Sequence, residues 1–295
     1  MKKIFFVFLV LISLTGCTLY YEDDTLDSGN GDNNTPVNPD DSNVEGSVIT
    51  NKYGDFYISS TVENSYSKSG DIITFTKPGE YTLSGTLTGS LHFASNIGGS
   101  VTLYLNNVNI TSSNGHGIYF MSEVGKVEIK TMENTSNSIT VTADSTKLFS
   151  AIESENNIEL GGSGSLVIKG LQRHAVKGSN IEVKGNVSLT IEAVKDGLHG
   201  KQVLISGGNT TIKNCTDAIQ AEVNTNNLKG TIKVEDGTLT ITNCKRAFRA
   251  SVSLTVEVVT GGNVVINVNN TTTPLEVPTV NYVSGTFKIN GVNYK

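Results

Sequence analysis

The chain of 295 residues has no tryptophan, only three cysteines, five prolines and four histidines. No stretch of it shows sustained helical periodicity, which leaves an all-β architecture for the body of the protein. Beyond the first residues no second long apolar run follows, so the chain is not expected to span a bilayer. The folded part also lacks an excess of charge. Residues 1–45 hold eight of the 28 carboxylates and two of the 22 lysines and arginines, so the remainder carries 20 of each. A formally neutral body argues against a nucleic-acid surface. No nucleophile–base pair, phosphate loop or zinc spacing stands out, and the four histidines resemble no close-spaced ligand motif.

The first residues carry a local signal. Met1-Lys2-Lys3 is a short basic region, Ile4 to Ile12 is unbroken apolar sequence, and Leu14-Thr15-Gly16-Cys17 is a small-residue site ending in cysteine. Such a run is too short for a permanent membrane helix and reads as a signal peptide over residues 1–16. The Leu-Thr-Gly-Cys step resembles the lipobox of bacterial lipoproteins, which implies cleavage before Cys17 and a lipid on its thiol. An exported protein held at the cell membrane or outer membrane, facing the exterior or periplasm, is the expectation. Two or three acyl chains would hold it firmly, at about 0.8 kcal/mol per buried methylene. Residues 17–46 are rich in acidic, Gly, Asn and Pro residues and read as a disordered stalk.

From Val101 onward the sequence repeats. A small residue followed by a large apolar one recurs at Gly117-Ile118, Ala151-Ile152, Ala175-Val176, Gly197-Leu198, Ala218-Ile219 and Ala247-Phe248, at intervals of 34, 24, 22, 21 and 29. Between these anchors lie two sets of short strands, such as Ile158-Glu159-Leu160 and Leu166-Val167-Ile168. Three short alternating strands per unit at this spacing predict a parallel β-helix over residues 47–295, with like residues stacked about 4.8 Å apart. A β-sandwich also has evenly spaced strands, but it has no reason to repeat a small-plus-aliphatic step in phase. Glycine pairs such as Gly161-Gly162 and Gly207-Gly208 recur at one place and supply the corners.

The remaining cysteines test the register. Asn214-Cys215-Thr216-Asp217-Ala218 and Asn243-Cys244-Lys245-Arg246-Ala247 align without a gap. Cys215 and Cys244 are then stacked neighbours near 5 Å, either disulfide-bonded or a free pair acting as a small apolar ladder. Asn214 and Asn243 fall beside them as a short amide ladder.

These blocks resemble a bacterial carbohydrate-binding β-helix family. The similarity is carried by Pro78-Gly79-Glu80-Tyr81-Thr82-Leu83-Ser84-Gly85, by Leu105-Asn106-Asn107-Val108, by Ala151-Ile152-Glu153-Ser154 and by Lys195-Asp196-Gly197-Leu198-His199-Gly200-Lys201, over roughly residues 70–260. The resemblance implies a right-handed parallel β-helix related in fold to polysaccharide lyases. It also implies bound calcium and binding of cellulose or acidic plant polysaccharide without cleavage. The sequence departs from the family's Lys-Asp units at Ser154-Glu155-Asn156-Asn157, Lys177-Gly178-Ser179-Asn180 and Gly200-Lys201-Gln202.

In a solenoid the residues next to each anchor form columns. One reads His116, Ser150, His174, Asp196, Asp217, Arg246; another reads Tyr119, Glu153, Lys177, His199, Gln220, Arg249. Asp196 and Asp217 stack as like charges, a repulsion that Ca²⁺ held by Asp196, Asp217 and Glu222, with Asn224 and Asn226, would offset. Neutralisation by Lys195, His174 and Arg246 is the alternative. Lys177, His199, Lys201, Arg246 and Arg249 suit the carboxylates of a uronic-acid polymer. With no tryptophan and the tyrosines scattered, no flat sugar-stacking platform is visible and crystalline cellulose is the weaker ligand. Three functions remain: a monomeric, non-catalytic polysaccharide-binding lipoprotein, a pectate-type lyase on the same fold, and a structural or adhesive surface protein.

Overall fold

The computed structural model describes residues 48–95, 97–121, 125–144, 146–223 and 230–294. Cys17 and the stalk lie outside the described residues, as do Asn224 and Asn226. Among the described residues every regular element is a strand, and the strands coil into a three-sided parallel β-solenoid.

The anchor face contains Ile72–Phe75, Ser90–Phe93, Ile118–Phe120, Ile152–Ser154, Val176–Lys177 and Asp196–Gly200. It continues through the ends of the long bent strands Gln202–Ala221 and Thr231–Ala250 to Thr273–Glu276. A glutamate face is built on Val127–Thr131, Ile158–Gly162 and Asn180–Val183, and a third face on Ser136–Val141, Ser165–Gly170 and Ser188–Ala193. The register is the one that the repeat predicts. Leu91, Ile118, Ile152, Val176, Leu198, Ile219 and Phe248 pair in one inward column, all fully buried. Each full burial of such a side chain stabilises by roughly 1.5–3 kcal/mol.

The anchor residue is small because the chain turns inward there. A Cβ on Gly197 would sit 2.6 Å from the Ala218 carbonyl oxygen and 2.7 Å from Ile212 Cγ2. The corner glycines answer a different need. Gly237 has φ of 90°, and a Cβ there would meet the Gly208 oxygen at 2.4 Å. At the corner after the third face asparagine does the same work: Asn214, Asn243 and Asn270 all have φ between 51° and 57°. The two asparagines beside the cysteines are thus corner residues, and the Asn214 amide donates to Glu192 at 2.9 Å. The neighbouring Cys215 and Cys244 pair in register, 4.6 Å apart at Cα, and form a disulfide.

Both ends depart from the parallel pattern. Ile49–Tyr53 and Phe56–Ser60 form an antiparallel hairpin laid against Gly79–Thr88, and Tyr66–Ser69 pairs antiparallel with Ile72–Phe75. At the other end Val292–Asn293 folds back on Thr286–Ile289. Stacked repeats need such caps, since an open coil would expose its apolar row and its unpaired backbone. Beneath the first cap Phe75, Phe93 and Phe120 stack at 4.4 and 4.5 Å.

Candidate functional site

The outward column of the anchor face reads His92, Tyr119, Glu153, Lys177, His199, Gln220, Arg249, Glu276, one residue per coil. A second column, just before the anchors, brings Asp196, Asp217, Arg246 and Thr273 into register. Together they divide into three zones.

The first zone is aromatic. His116 stacks on Tyr119 at 4.8 Å, His92 meets the same ring edge-on at 5.8 Å, and Phe149 meets His116 edge-on at 5.1 Å. These half-buried rings form the aromatic surface that the scattered tyrosines gave no reason to expect. Burial lowers the pKa of both histidines; for His116 it outweighs the opposing effect of Glu153 and of the Ser150 backbone. Neutral imidazoles present flat faces with little charge to desolvate.

Lys177, His199 and Lys201 occupy the second zone, where they line a concavity of about 380 Å³ with Glu222 and Val223. Lys177 donates to Glu153 at 2.6 Å, and Glu153 accepts from Ser150 Oγ at 2.7 Å. Burial pushes the Glu153 carboxyl up, but Lys177 and Ser150 outweigh it and hold the group below its ordinary value. Asp196, three residues before His199, is fully buried. Its Oδ2 lies 2.9 Å from His199 Nδ1 and 3.0 Å from His174 Nδ1, with the two rings 4.5 Å apart. Burial raises the Asp196 pKa; the two imidazoles override it and keep the group ionised far below the usual carboxylate range.

Arginines and carboxylates fill the third zone. Arg246 grips Asp217 with both Nε and Nη2 and reaches Glu276 at 3.0 Å. Arg249 donates to Glu276 at 3.1 Å and stands 3.8 Å from Glu222.

Three of the five expected carbohydrate contacts therefore meet at the concavity, while Arg246 and Arg249 lie further along and are engaged by carboxylates. The stacked aspartates are present, but each has its own partner: two histidines for Asp196, a guanidinium for Asp217. The calcium set is accordingly not brought together as an oxygen cage. Both oxygens of Asp217 face Arg246, and Glu222 accepts from Gln220 beside Arg249. A hard cation takes six to eight oxygens, and imidazoles do not supply them. Among the described residues the group whose donor atoms converge is His174, Asp196 and His199. Histidines that look unrelated in sequence are neighbours because successive coils stack.

The glutamate face carries a row that the sequence reading passed over. Glu128, Glu159 and Glu182 pair in register. Lys126 bridges Glu128 and Glu159 at 2.7 Å each, Lys130 reaches Glu128 at 2.7 Å, and Lys184 pairs with Glu159. The two lysines hold the Glu128 pKa down to about 2. The signal was the Glu at the centre of Val127-Glu128-Ile129, Ile158-Glu159-Leu160 and Ile181-Glu182-Val183.

A carbohydrate-binding domain model matches residues 69–288. The chain belongs to this carbohydrate-binding family. The match covers the parallel coils and ends before the C-terminal cap is complete. Among solved structures, a polysaccharide lyase-like protein from C. thermocellum, determined as a gadolinium derivative, is similar over 78% of this chain and 94% of that one. The two share 26% of their residues, with a TM-score of 0.66. No curated protein matches. The family, the β-solenoid and the kinship with a lyase-like fold thus agree with the reading of the sequence blocks.

Proposed function

We propose that the protein binds an acidic polysaccharide of plant cell-wall type along the anchor face, without cleaving it, while held at a cell surface by lipid on Cys17. The observation that carries this reading is the single outward column that runs from the aromatic rings at His92 and Tyr119 to the cationic concavity at Lys177, His199 and Lys201. Its members repeat at about 4.8 Å, comparable with the advance of one pyranose unit in an extended glycan. Aromatic faces suit the apolar side of a sugar ring, and Lys201, which lines the concavity, suits a uronate.

Non-catalytic binding is favoured over a lyase that would use Arg246 or Arg249 as its cation. β-Elimination needs a cation free to stabilise the uronate carboxylate and a base beside the C5 proton. Arg246 and Arg249 instead face Asp217 and Glu276. Calorimetric titration with oligogalacturonate and with a neutral glucan oligomer, with and without Ca²⁺, tests the ligand. Tighter binding of the acidic oligomer, weakened about tenfold by Lys201→Ala, supports the reading. Release of unsaturated products, seen by ultraviolet absorbance, would establish the lyase instead. For the anchor, radiolabelled palmitate should enter the wild type and not Cys17→Ser.

A further inference from the structure

We propose that His174, Asp196 and His199 form a binding site for a first-row transition-metal ion of the zinc type, opening onto the concavity. Three observations carry it. First, two nitrogens and one carboxylate oxygen converge, all within 4.8 Å of one another. The Nδ1 atoms lie 2.9 and 3.0 Å from Asp196 Oδ2. A tetrahedral shell with bonds of about 2.0–2.1 Å has donor–donor edges of roughly 3.3 Å. The two nitrogen–oxygen edges are thus within a few tenths of an ångström of that length, and the nitrogen–nitrogen edge, within 4.8 Å, closes to it by rotation of the imidazoles.

Second, polar atoms here are left over. Nε2 of His174 and Oδ1 of Asp196 have no hydrogen-bond partner, although both side chains are fully buried. Buried polar groups are nearly always satisfied, and orphaned ones call for an explanation. A metal that accepts the lone pairs of an imidazole nitrogen and a carboxylate oxygen supplies one. Third, the cluster is sealed on one side and open on the other. His174 and Asp196 form its floor, whereas His199 is 17% exposed and lines the concavity. Three protein ligands leave one position of a tetrahedral shell to a water or a ligand oxygen, as in the open type of zinc site.

The donor set also selects the metal. Imidazole suits zinc, copper and nickel, and an ion held by two imidazoles and one carboxylate does not have the oxygen shell that calcium requires. The site would give the column a cationic centre beside Lys177 and Lys201. The inference stands whether or not the concavity takes a glycan.

The test is titration of chelator-treated, full-length protein with Zn²⁺ alone, with Co²⁺ as a spectroscopic probe and Ca²⁺ as the contrast. One equivalent of Zn²⁺ should bind, with visible Co²⁺ bands of a nitrogen–oxygen tetrahedral set. His199→Ala, at a partly exposed position, should weaken binding at least about tenfold and abolish those bands, with circular dichroism to check folding. Asp196→Asn should do the same, with circular dichroism to check folding. If it does not fold, His199→Ala decides alone. Failure to bind Zn²⁺, equal Zn²⁺ affinity in wild type and His199→Ala, or Ca²⁺ bound more tightly than Zn²⁺ would overturn the proposal.

Discussion

The anchor face and the glutamate face use one device, a column of carboxylates in register on successive coils, and neutralise it in opposite ways. On the glutamate face, lysines with 34–46% of their side chains exposed arch over Glu128 and Glu159. Exposed pairs of this kind contribute about 0–1 kcal/mol each and are screened by salt. On the anchor face Asp196 and Asp217 are fully buried, and their partners are buried or nearly so. A buried charge that loses its partner is costly, and its orientation is fixed by that partner. The first face keeps a wide sheet soluble, and the second holds charges in set positions beside a concavity.

Arg246→Ala should separate the faces most sharply. It strips Asp217 of the guanidinium that grips both its oxygens, at a cost of roughly 3–5 kcal/mol measured by urea unfolding. A loss below 1 kcal/mol would mean that Arg249, 3.6 Å from Asp217, takes over. Next in size is the disulfide between the coils that carry Asp217 and Arg246. Reduction, or Cys215→Ala with Cys244→Ala, should cost about 2–4 kcal/mol by the same assay. Lys130→Ala on the glutamate face should change stability by about 1 kcal/mol or less, and raising the salt to 1 M should erase the difference.

The pH dependence offers a finer contrast. Burial depresses the folded-state pKa of His92 and His116, so below the unfolded value of about 6.5 the unfolded chain binds more protons. Stability should therefore fall as pH drops from about 7 through 6, and His92→Gln with His116→Gln should flatten that slope in a thermal melt. Glu128, depressed to about 2, works in another window. Its contribution is full above about 4.3 and is lost as pH falls toward 2.

The contrast between faces also explains what could be read from the sequence. The solenoid was legible because one position per coil admits only a small residue: a Cβ on Gly117 or Gly197 would strike the neighbouring coil, and Ala151, Ala175, Ala218 and Ala247 are fully buried there. That steric demand recurs every turn and leaves an in-phase mark. The columns followed, down to the pairing of Cys215 with Cys244 and of Asp196 with Asp217. Sideways partnerships were legible only in part. His174 beside Asp196 and Arg246 beside Asp217 were among the neutralising groups that the columns suggested, whereas the turn of His199 onto Asp196 and of His116 onto Tyr119 and Phe149 depends on rotamers, which spacing does not encode. The antiparallel first cap was hidden too, since alternation has the same period in parallel and antiparallel strands.

Pull-down on insoluble pectic polysaccharide, comparing variants of the two faces, tests most directly where the ligand lies. Tyr119→Ala and Lys201→Ala on the anchor face should each lower retention about tenfold, while Lys130→Ala and Glu182→Gln on the glutamate face should leave it unchanged. Equal retention by all four, or loss confined to the glutamate-face variants, would contradict polysaccharide binding along the anchor face.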